Sequence, residues 1–340
     1  QDVSSVNPSS ARRTSVSSGG SDLDHSRGRR PEPGYSFVGM HCIFDHSKAA
    51  GTFILFAVTV LKFGKRSSDV SQPPSVLKQL NGHSKDVTDF DFSSNNQYIA
   101  SSSMDKTVRV WELSKGTCIR VIYGVSPQLC IRFHPVTGNV NREITVFNFS
   151  TGRIIAKTVL NNEITSMDHD HTGQLIQGCI YSMSMNSRTG ALSRSHRYRS
   201  SSKSKSPVTT VQYRSFSLLA RGPMLLTCTQ DGNLSFFRVA LEIKGYLTLH
   251  CSLKLAPRVH SMRASFCPLL SLEKGEYIVA GSEDSNVYFY DLTKPQNPCV
   301  NKLQGHQFPV IGVTWNYGEN LLASSDLHGV VIVWKRAKTG

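Results

Sequence analysis

The sequence predicts an all-β fold built from repeats, and three observations carry that expectation. From Ser36 onward the chain is a series of short β-rich runs separated by Gly, Asn, Asp and Pro turns. No apolar stripe with the 3.6-residue period of a helix is sustained anywhere along it. A unit of runs and turns recurs at fixed spacing, which in the range of about 20–50 residues marks a repeat architecture.

Taken in order, residues 1–34 are Ser, Gly, Arg and Pro with hardly an apolar side chain. They cannot bury enough surface to offset the entropy of ordering, so a disordered arm is expected there. Seven first-strand runs follow, at Val58–Phe63, Val87–Phe92, Leu129–Phe133, Ile164–His169, Val208–Tyr213, Ser261–Phe266 and Val310–Trp315. The clearest unit runs from Gly82-His83 through Val87–Phe92, Tyr98–Ser103 and Asp105 to Trp111, and a second from Gly305-His306 through Val310–Trp315 and Leu321–Ser325 to Trp334. In both, His and Trp stand 28 residues apart. A turn Asp six residues before an aromatic recurs as Asp105/Trp111, Asp231/Phe237 and Asp284/Tyr290, and Asp105 to Asp231 is 126 residues, three repeats of 42.

These units resemble the WD-repeat β-propeller family, whose blades begin with Gly-His and end with Trp-Asp. The resemblance covers residues 36–336, and the C-terminal run from Ser265 through His306 to Trp334 is most similar to a branch with plant transducin-like members. It implies an all-β, seven-bladed WD-repeat β-propeller. It also implies a hydrogen-bonded relay in each complete blade, from His83, Ser101, Asp105 and Trp111 in the best repeat. Other repeats keep parts of it: Thr227 and Asp231 with Phe237, Asp284 with Tyr290, and His306, Ser324 and Trp334, with His328 standing where the last Asp belongs. A metal or catalytic role for His83 and Asp105 is the weaker alternative, because the structural role accounts for the spacing.

After Trp334 too few residues remain for an outer strand, so Ser36–Phe44 is expected to supply it and close the ring. Several blades look truncated. Phe92 to Trp111 spans 19 residues, but Phe133 to Phe147 and His169 to Met183 span 14 each, about one strand and turn fewer. Phe63 to Leu77 spans 14 where Phe92 to Ile119 spans 27, as if two inner strands of the first blade were missing. Ragged first, third and fourth blades and a less stable ring are therefore expected. The chain opens on Gln1 and is expected to be a piece of a longer product.

The net charge of +14 is unevenly placed. Residues 185–206 carry Arg188, Arg194, Arg197, Arg199, Lys203 and Lys205 with no acid, and Lys335, Arg336 and Lys338 add a second cluster. Basic residues among serines, with Tyr198 for stacking, suit a phosphate backbone, so the stretch from Ser193 to Ser206 is a candidate nucleic-acid loop inside an insertion at 186–206; a solvated insertion is the alternative. Arg12-Arg13 upstream make Ser15 a candidate phosphosite for a basic-directed kinase. The eight Cys show no CxxC spacing, as expected of free thiols in a reducing compartment. The apolar run Phe53–Phe63 is far too short to span a bilayer.

No GxGxxG after a strand, GxxxxGK[ST], HExxH or GxSxG motif occurs. Asp168-His169-Asp170-His171 could tempt a metal reading, but a strand end and turn account for it with no further ligand in view. A ligase-receptor signature of Trp-Asp-x-Arg is not met by Trp111-Glu112-Leu113-Ser114. The expectation is a non-catalytic scaffold in the nucleus or cytoplasm, without cofactor, metal or small-molecule substrate, that binds other proteins through a propeller face.

Overall fold

The protein is described by a computed structural model at residues 37–45, 53–56, 76–93, 95, 97–133, 136–139, 142–160, 164, 166–169, 175–177, 180–186, 189, 191–198, 206–240, 243, 246–255, 259–260, 262–268, 276–294, 296–315 and 321–336. Among these residues there are 26 strands and no helix. Consecutive strands pair antiparallel into meanders of four. One holds β4 (Val87–Phe92), β5 (Tyr98–Ser103), β6 (Thr107–Glu112) and β7 (Thr117–Tyr123). The next two hold β8 (Gln128–Arg132), β9 (Val136–Asn139), β10 (Glu143–Phe147) and β11 (Ile154–Val159), then β12 (Met167–His169), β13 (Leu175–Gln177), β14 (Tyr181–Met185) and β15 (Leu192–Arg197). Two more hold β16 (Val208–Ser217), β17 (Gly222–Thr229), β18 (Asn233–Val239) and β19 (Leu247–Lys254), then β20 (Ala264–Phe266), β21 (Tyr277–Gly281), β22 (Asn286–Asp291) and β23 (Cys299–Gln304).

The last four-stranded sheet joins the two ends of the chain. Its strands β24 (Val310–Trp315), β25 (Leu321–Asp326) and β26 (Val330–Arg336) are completed by β1 (Phe37–Asp45), which pairs antiparallel with β26 from Phe37 opposite Arg336 to Asp45 opposite Val330. A two-stranded sheet remains, β2 (Phe53–Phe56) against β3 (Val76–Leu80). The predicted first run Val58–Phe63 lies outside the described residues, as do the arm at 1–34 and Ser15.

The expectation that the third and fourth blades each lack a strand is corrected: β8–β11 and β12–β15 are both four-stranded. The missing residues are absorbed largely by shorter inner strands. β9 has four residues and β13 three, where β5 has six. An antiparallel hairpin can be trimmed by pairs of residues without changing which face each remaining side chain meets.

Sheets pack face to face through apolar side chains contributed by both members of each pair. Cys130, Ile144 and Val146 meet Met167 and Met183, and Val279, Val287 and Phe289 meet Val313, Leu322 and Trp334. Gly281 sits at the second junction because a Cβ there would collide with the Val310 carbonyl. Phe90 departs from this pattern. It pairs with Ser101 as Val211 pairs with Thr227, Ala264 with Ala280 and Val313 with Ser324. Those three partners are buried, but Phe90 is 44% exposed on the face toward β2 and β3.

The innermost strands are also tied sideways by side-chain acceptors. Asp89 and Asp91 accept the Ile131 and Phe133 N–H groups at 3.2 and 2.7 Å. Ser166 and Asp168 accept those of Val211 and Tyr213 at 3.0 and 2.6 Å, and Thr210 and Gln212 those of Ala264 and Phe266 at 3.0 and 2.8 Å. Each pair is two residues apart on one strand and therefore on one face. Asp89 does more: Arg132 donates to it at 2.7 Å from the next sheet, and Arg263 reaches it at 3.2 Å from the position immediately before β20, 174 positions along the chain. Burial would push the Asp89 carboxyl up, but the two guanidiniums and the Ile131 N–H together hold it below the usual range.

Asp89→Ala removes the buried carboxylate that the part-buried Arg132 guanidinium pairs with; breaking a fully buried pair costs about 3–5 kcal/mol, and the partial exposure of Arg132 places this loss toward or below the lower end of that range. The urea-unfolding midpoint should fall accordingly, whereas Asp86→Ala, at an exposed neighbour, should change stability by no more than about 0.5 kcal/mol.

Candidate functional site

Where a chain of turns must present a fixed surface, the side chains that lock those turns determine what can be displayed. Two sheets among the described residues carry a complete Trp-Ser-His-Asp relay of this kind. In the β4–β7 sheet the Trp111 indole N–H donates to Ser101 Oγ at 2.9 Å, Ser101 Oγ meets His83 Nε2 at 2.8 Å, and His83 Nδ1 meets Asp105 Oδ2 at 2.8 Å. A carboxylate only accepts, so the imidazole proton sits on Nδ1 and Nε2 accepts from the serine hydroxyl. Asp105 further accepts the N–H groups of Ser84 at 3.1 Å and Thr107 at 2.8 Å. The relay thereby clamps the Gly-His loop onto the turn between β5 and β6, where Lys106 takes the left-handed conformation at φ 70°.

The second lock, in the sheet of β24–β26 and β1, has the same geometry with one residue moved. Trp334 Nε1–H donates to Ser324 Oγ at 2.8 Å, Ser324 Oγ meets His306 Nε2 at 2.7 Å, and His306 Nδ1 meets Asp326 Oδ2 at 3.0 Å. The carboxylate therefore comes from Asp326 at the end of β25, and the expectation that His328 replaces the relay Asp is corrected. Asp326 Oδ1 also accepts the His328 and Val330 N–H groups, each at 3.0 Å, as Asp105 does for its own turn. His328 points outward and stacks on Phe308, with ring centroids 3.6 Å apart and planes 9° from parallel. Spacing alone does not single out Asp326, because it stands at the strand end and not at the turn position that Asp105 holds; an acid on either flank of that turn can reach the histidine.

The remaining relay candidates do not assemble this way. Position 22 upstream of each turn Asp, where His83 stands relative to Asp105, is Thr209 before Asp231 and Met262 before Asp284. Asp231 instead binds Thr229 and Asn233, at 2.5 and 2.8 Å, and Thr227 Oγ1 donates to the Ser235 carbonyl at 3.4 Å. Asp284 accepts the Tyr288 hydroxyl at 2.5 Å, and Tyr290 stacks on Tyr288. These carboxylates cap their own turns; the preceding loops are tied by other groups, the Asp231 N–H donating to Ser206 Oγ at 2.9 Å and Glu283 accepting the Val259 and His260 N–H groups at 2.7 Å each.

The basic stretch begins as part of the architecture. Ser193 to Arg197 belong to β15, the outermost strand of its sheet, and not to a loop. Arg194 is exposed and its Nη2 donates to the Val159 carbonyl of the neighbouring sheet. Tyr198 packs edge-on against Phe237, with centroids 4.6 Å apart, and joins an apolar cluster with Val211 and Leu225. Its ring is therefore engaged inside the fold and is not presented for base stacking, because Phe237 and its neighbours offer an apolar surface that water does not. Arg197 is placed only through its backbone pairing with Tyr181, and Arg199, Lys203 and Lys205 lie outside the described residues. Of the acidic and histidine run, Asp168 serves the inter-sheet bond to Tyr213.

Among the described residues no group of three or more His, Cys, Asp or Glu could hold a metal ion, and no helix is long and apolar enough to cross a membrane. A cavity of about 20 Å3 between the β4–β7 and β8–β11 sheets is lined by Ala100, Val108, Ile131 and Phe147, among others. That is room for about one water and too little for a metabolite.

Two segments, residues 74–112 and 297–335, match the family model of the WD domain, G-beta repeat. They contain the two relays. Among solved structures the chain resembles the beta-propeller domain of Cps50 (Swd1) from Myceliophteria thermophila, with a TM-score of 0.59 and 19% identity over 77% of this chain and 86% of that one. Curated relatives include the U3 small nucleolar RNA-associated protein 21 homolog of Schizosaccharomyces pombe, 37% identical over 26% of this chain and 9% of its own length. Autophagy-related protein 16 of Arabidopsis thaliana is 23% identical over 76% of this chain and 41% of its own length. The chain thus spans less than half the length of either of these relatives. Two segments of this all-β chain are thus similar to WD40 repeats, and the solved neighbour shows a β-propeller fold.

Removing the shared hydroxyl with Ser324→Ala leaves a buried indole N–H and an imidazole nitrogen without that partner, a loss of about 1–3 kcal/mol. Asp326→Asn should be similarly destabilising in urea melts, whereas His328→Ala should stay within about 0.5 kcal/mol.

Burial holds both His83 and His306 below the usual 6.5, against the pull of their aspartates, so the unfolded chain binds more protons than the folded one as pH falls through that value. Stability should therefore be complete above about pH 6.5 and decline below it. Asp105, held low by its hydrogen bonds despite burial, adds a second loss below its ordinary value of 3.8. The double variant His83→Gln, His306→Gln should flatten the urea midpoint between about pH 7 and 5, the window set by the histidine shifts.

Proposed function

We propose that this chain is a non-catalytic WD-repeat scaffold, a ring of seven blades closed by β1, that mediates protein–protein interactions within a nuclear regulatory complex. The observation that carries this reading is the pair of relays: both fix loops at a sheet end, and neither builds a nucleophile, an acid–base pair or a ligand pocket. WD40 β-propellers are generally such scaffolds, and U3-associated relatives in two yeasts fit a nuclear setting. Within the family we favour the branch of WD-repeat-containing protein thirteen and its plant relatives, on the C-terminal run from Ser265 to Trp334. The propeller spans 36–336 in this reading, with residues 1–34 as a disordered arm, Ser15 as its phosphosite, and no cofactor.

A second reading is nucleic-acid association through residues 193–206. It is favoured by the exposed Arg194 on an outermost strand and by relatives whose names place them with a small nucleolar RNA. Phosphate contacts would make such binding fall steeply with salt, by a slope of about 0.9 per neutralised phosphate on duplex DNA.

Affinity purification and mass spectrometry of the tagged chain, with and without nuclease, separates the two. Partners should survive nuclease and the change of Arg194, Arg197, Arg199, Lys203 and Lys205 to Ser. Loss of every partner under both treatments would reverse the order of the readings.

A further inference from the structure

Two serines of this chain are followed by proline, Ser126 and Ser206, and each stands two residues before an innermost strand, β8 or β16. The fold treats them differently. Ser126 is buried, at 5% exposure, whereas Ser206 is half-buried and Pro207 beside it is exposed. Proline disfavours the helical region for the residue before it, so Ser206 enters its strand extended. An extended serine followed by a residue without an N–H fits a kinase whose substrate groove offers that position no backbone acceptor. A groove that does offer one is left with it unpaired and rejects proline.

Ser206 also holds a structural contact. Among the described residues the sheet of β16–β19 has no Trp-Ser-His-Asp relay, and its entering loop meets the turn between β17 and β18 through a different pair of bonds. Ser206 Oγ accepts the Asp231 N–H at 2.9 Å, and the Pro207 carbonyl accepts the Gln230 N–H at 2.9 Å. Gln230 Nε2 carries the contact onward to the Val259 carbonyl at 2.7 Å, and Glu283 in turn accepts the Val259 N–H at 2.7 Å. The position of this turn is therefore passed to the loop of the next sheet. A single bond from an N–H to a hydroxyl is modest in strength, so the loop opens often enough for an enzyme to capture it.

The atom that accepts the Asp231 N–H is also the atom that a phosphoryl group would join. Asp231 itself carries a carboxylate, bonded to Thr229 and Asn233 at 2.5 and 2.8 Å. A phosphoserine bears about −1.5 to −2 charges at pH 7, and beside a carboxylate it disrupts by like-charge repulsion. We propose that Ser206 is a phosphorylation site for a proline-directed serine kinase, and that the phosphate releases the loop before β16 from the turn between β17 and β18. The γ-phosphoryl group passes from ATP to Ser206 Oγ, a P–O bond forming there as the bond to the departing ADP breaks, and the hydroxyl proton goes to the kinase's base. The inference holds whichever partner the chain binds, because it concerns only this loop and turn.

The test incubates the full, folded chain with an activated recombinant mitogen-activated protein kinase and ATP, and locates phosphate by peptide mass spectrometry. Ser206 should be modified faster than the buried Ser126 by about tenfold or more, since a buried serine must wait for a larger opening. Ser206→Ala should abolish phosphate at that position; should this variant fail to fold, site assignment on the unaltered chain still decides. Hydrogen exchange of residues 229–233 should then quicken by about tenfold on phosphorylation, while the relay-held turn at Asp105 to Thr107 keeps its rate. No phosphate on Ser206, or equal incorporation at Ser126, overturns the site. Phosphate on Ser206 with exchange at 229–233 unchanged or slowed overturns the release.

Discussion

A stack of four-stranded meanders has a weakness that its internal hydrogen bonds do not address: each sheet satisfies its own backbone, so nothing but apolar packing would hold one sheet at a given height against the next. The acceptor pairs on the innermost strands supply that missing constraint. Asp89 and Asp91, Ser166 and Asp168, and Thr210 and Gln212 each reach the backbone N–H groups of the following sheet, two at a time and two residues apart. Two directional bonds fix register where dispersion forces tolerate slippage. The apolar clusters between sheets can then pack one way, and the turns at the sheet ends inherit a defined position.

Charge is used sparingly in this frame, and where it is used it is paired. Asp89 gathers Arg132 from one side and Arg263 from the other, so a single buried carboxylate ties together three sheets. Arg214 stands over the Phe266 ring at 4.3 Å and lies 3.7 Å from Glu276, tying β16 to the sheet of β20–β23. Such pairs add little net stability over an apolar replacement, but each permits fewer arrangements of its neighbours than an apolar contact would. Phe90 marks the place where the frame is less complete. Its counterparts are covered by a preceding sheet, whereas the β2–β3 sheet leaves nearly half of this ring in solvent.

Much of this was legible from spacing. The alternation of short β-rich runs and turn residues, the 28-residue separation of His83 from Trp111 and of His306 from Trp334, and the lack of an outer strand after Trp334 led to the strands, the first relay and the pairing of β1 with β26. What spacing could not show is substitution in space. Asp326 does from the end of a strand what Asp105 does from a turn, and a position-by-position comparison sees a histidine there instead. Residue counts likewise overstated the damage to β8–β11 and β12–β15, because a count cannot distinguish a deleted strand from a shortened one. Tyr198 read as part of a polar, basic segment, yet the ring of Phe237 that receives it lies 39 positions away.

The lateral acceptors were illegible for a deeper reason. Asp, Ser, Thr and Gln at alternate positions of a strand look like an ordinary solvent-facing pattern, which is the usual meaning of polar alternation. Here the polar face is turned toward another backbone, and its donors are N–H groups that innermost strands leave unpaired on one side. The same ambiguity runs the other way at the end of β16, where the apolar Phe216 and Leu218 stand in solvent. In both places the inside and outside of the fold are exchanged relative to the side chain's chemistry. A buried acceptor is tolerated when it bonds a neighbour, and an exposed ring persists when the turn beneath it is pinned, as Glu276 pins Ser217 and Leu219. The residues that defy the hydrophobic pattern are therefore the ones that connect one sheet to the next or face outward from a rigid base.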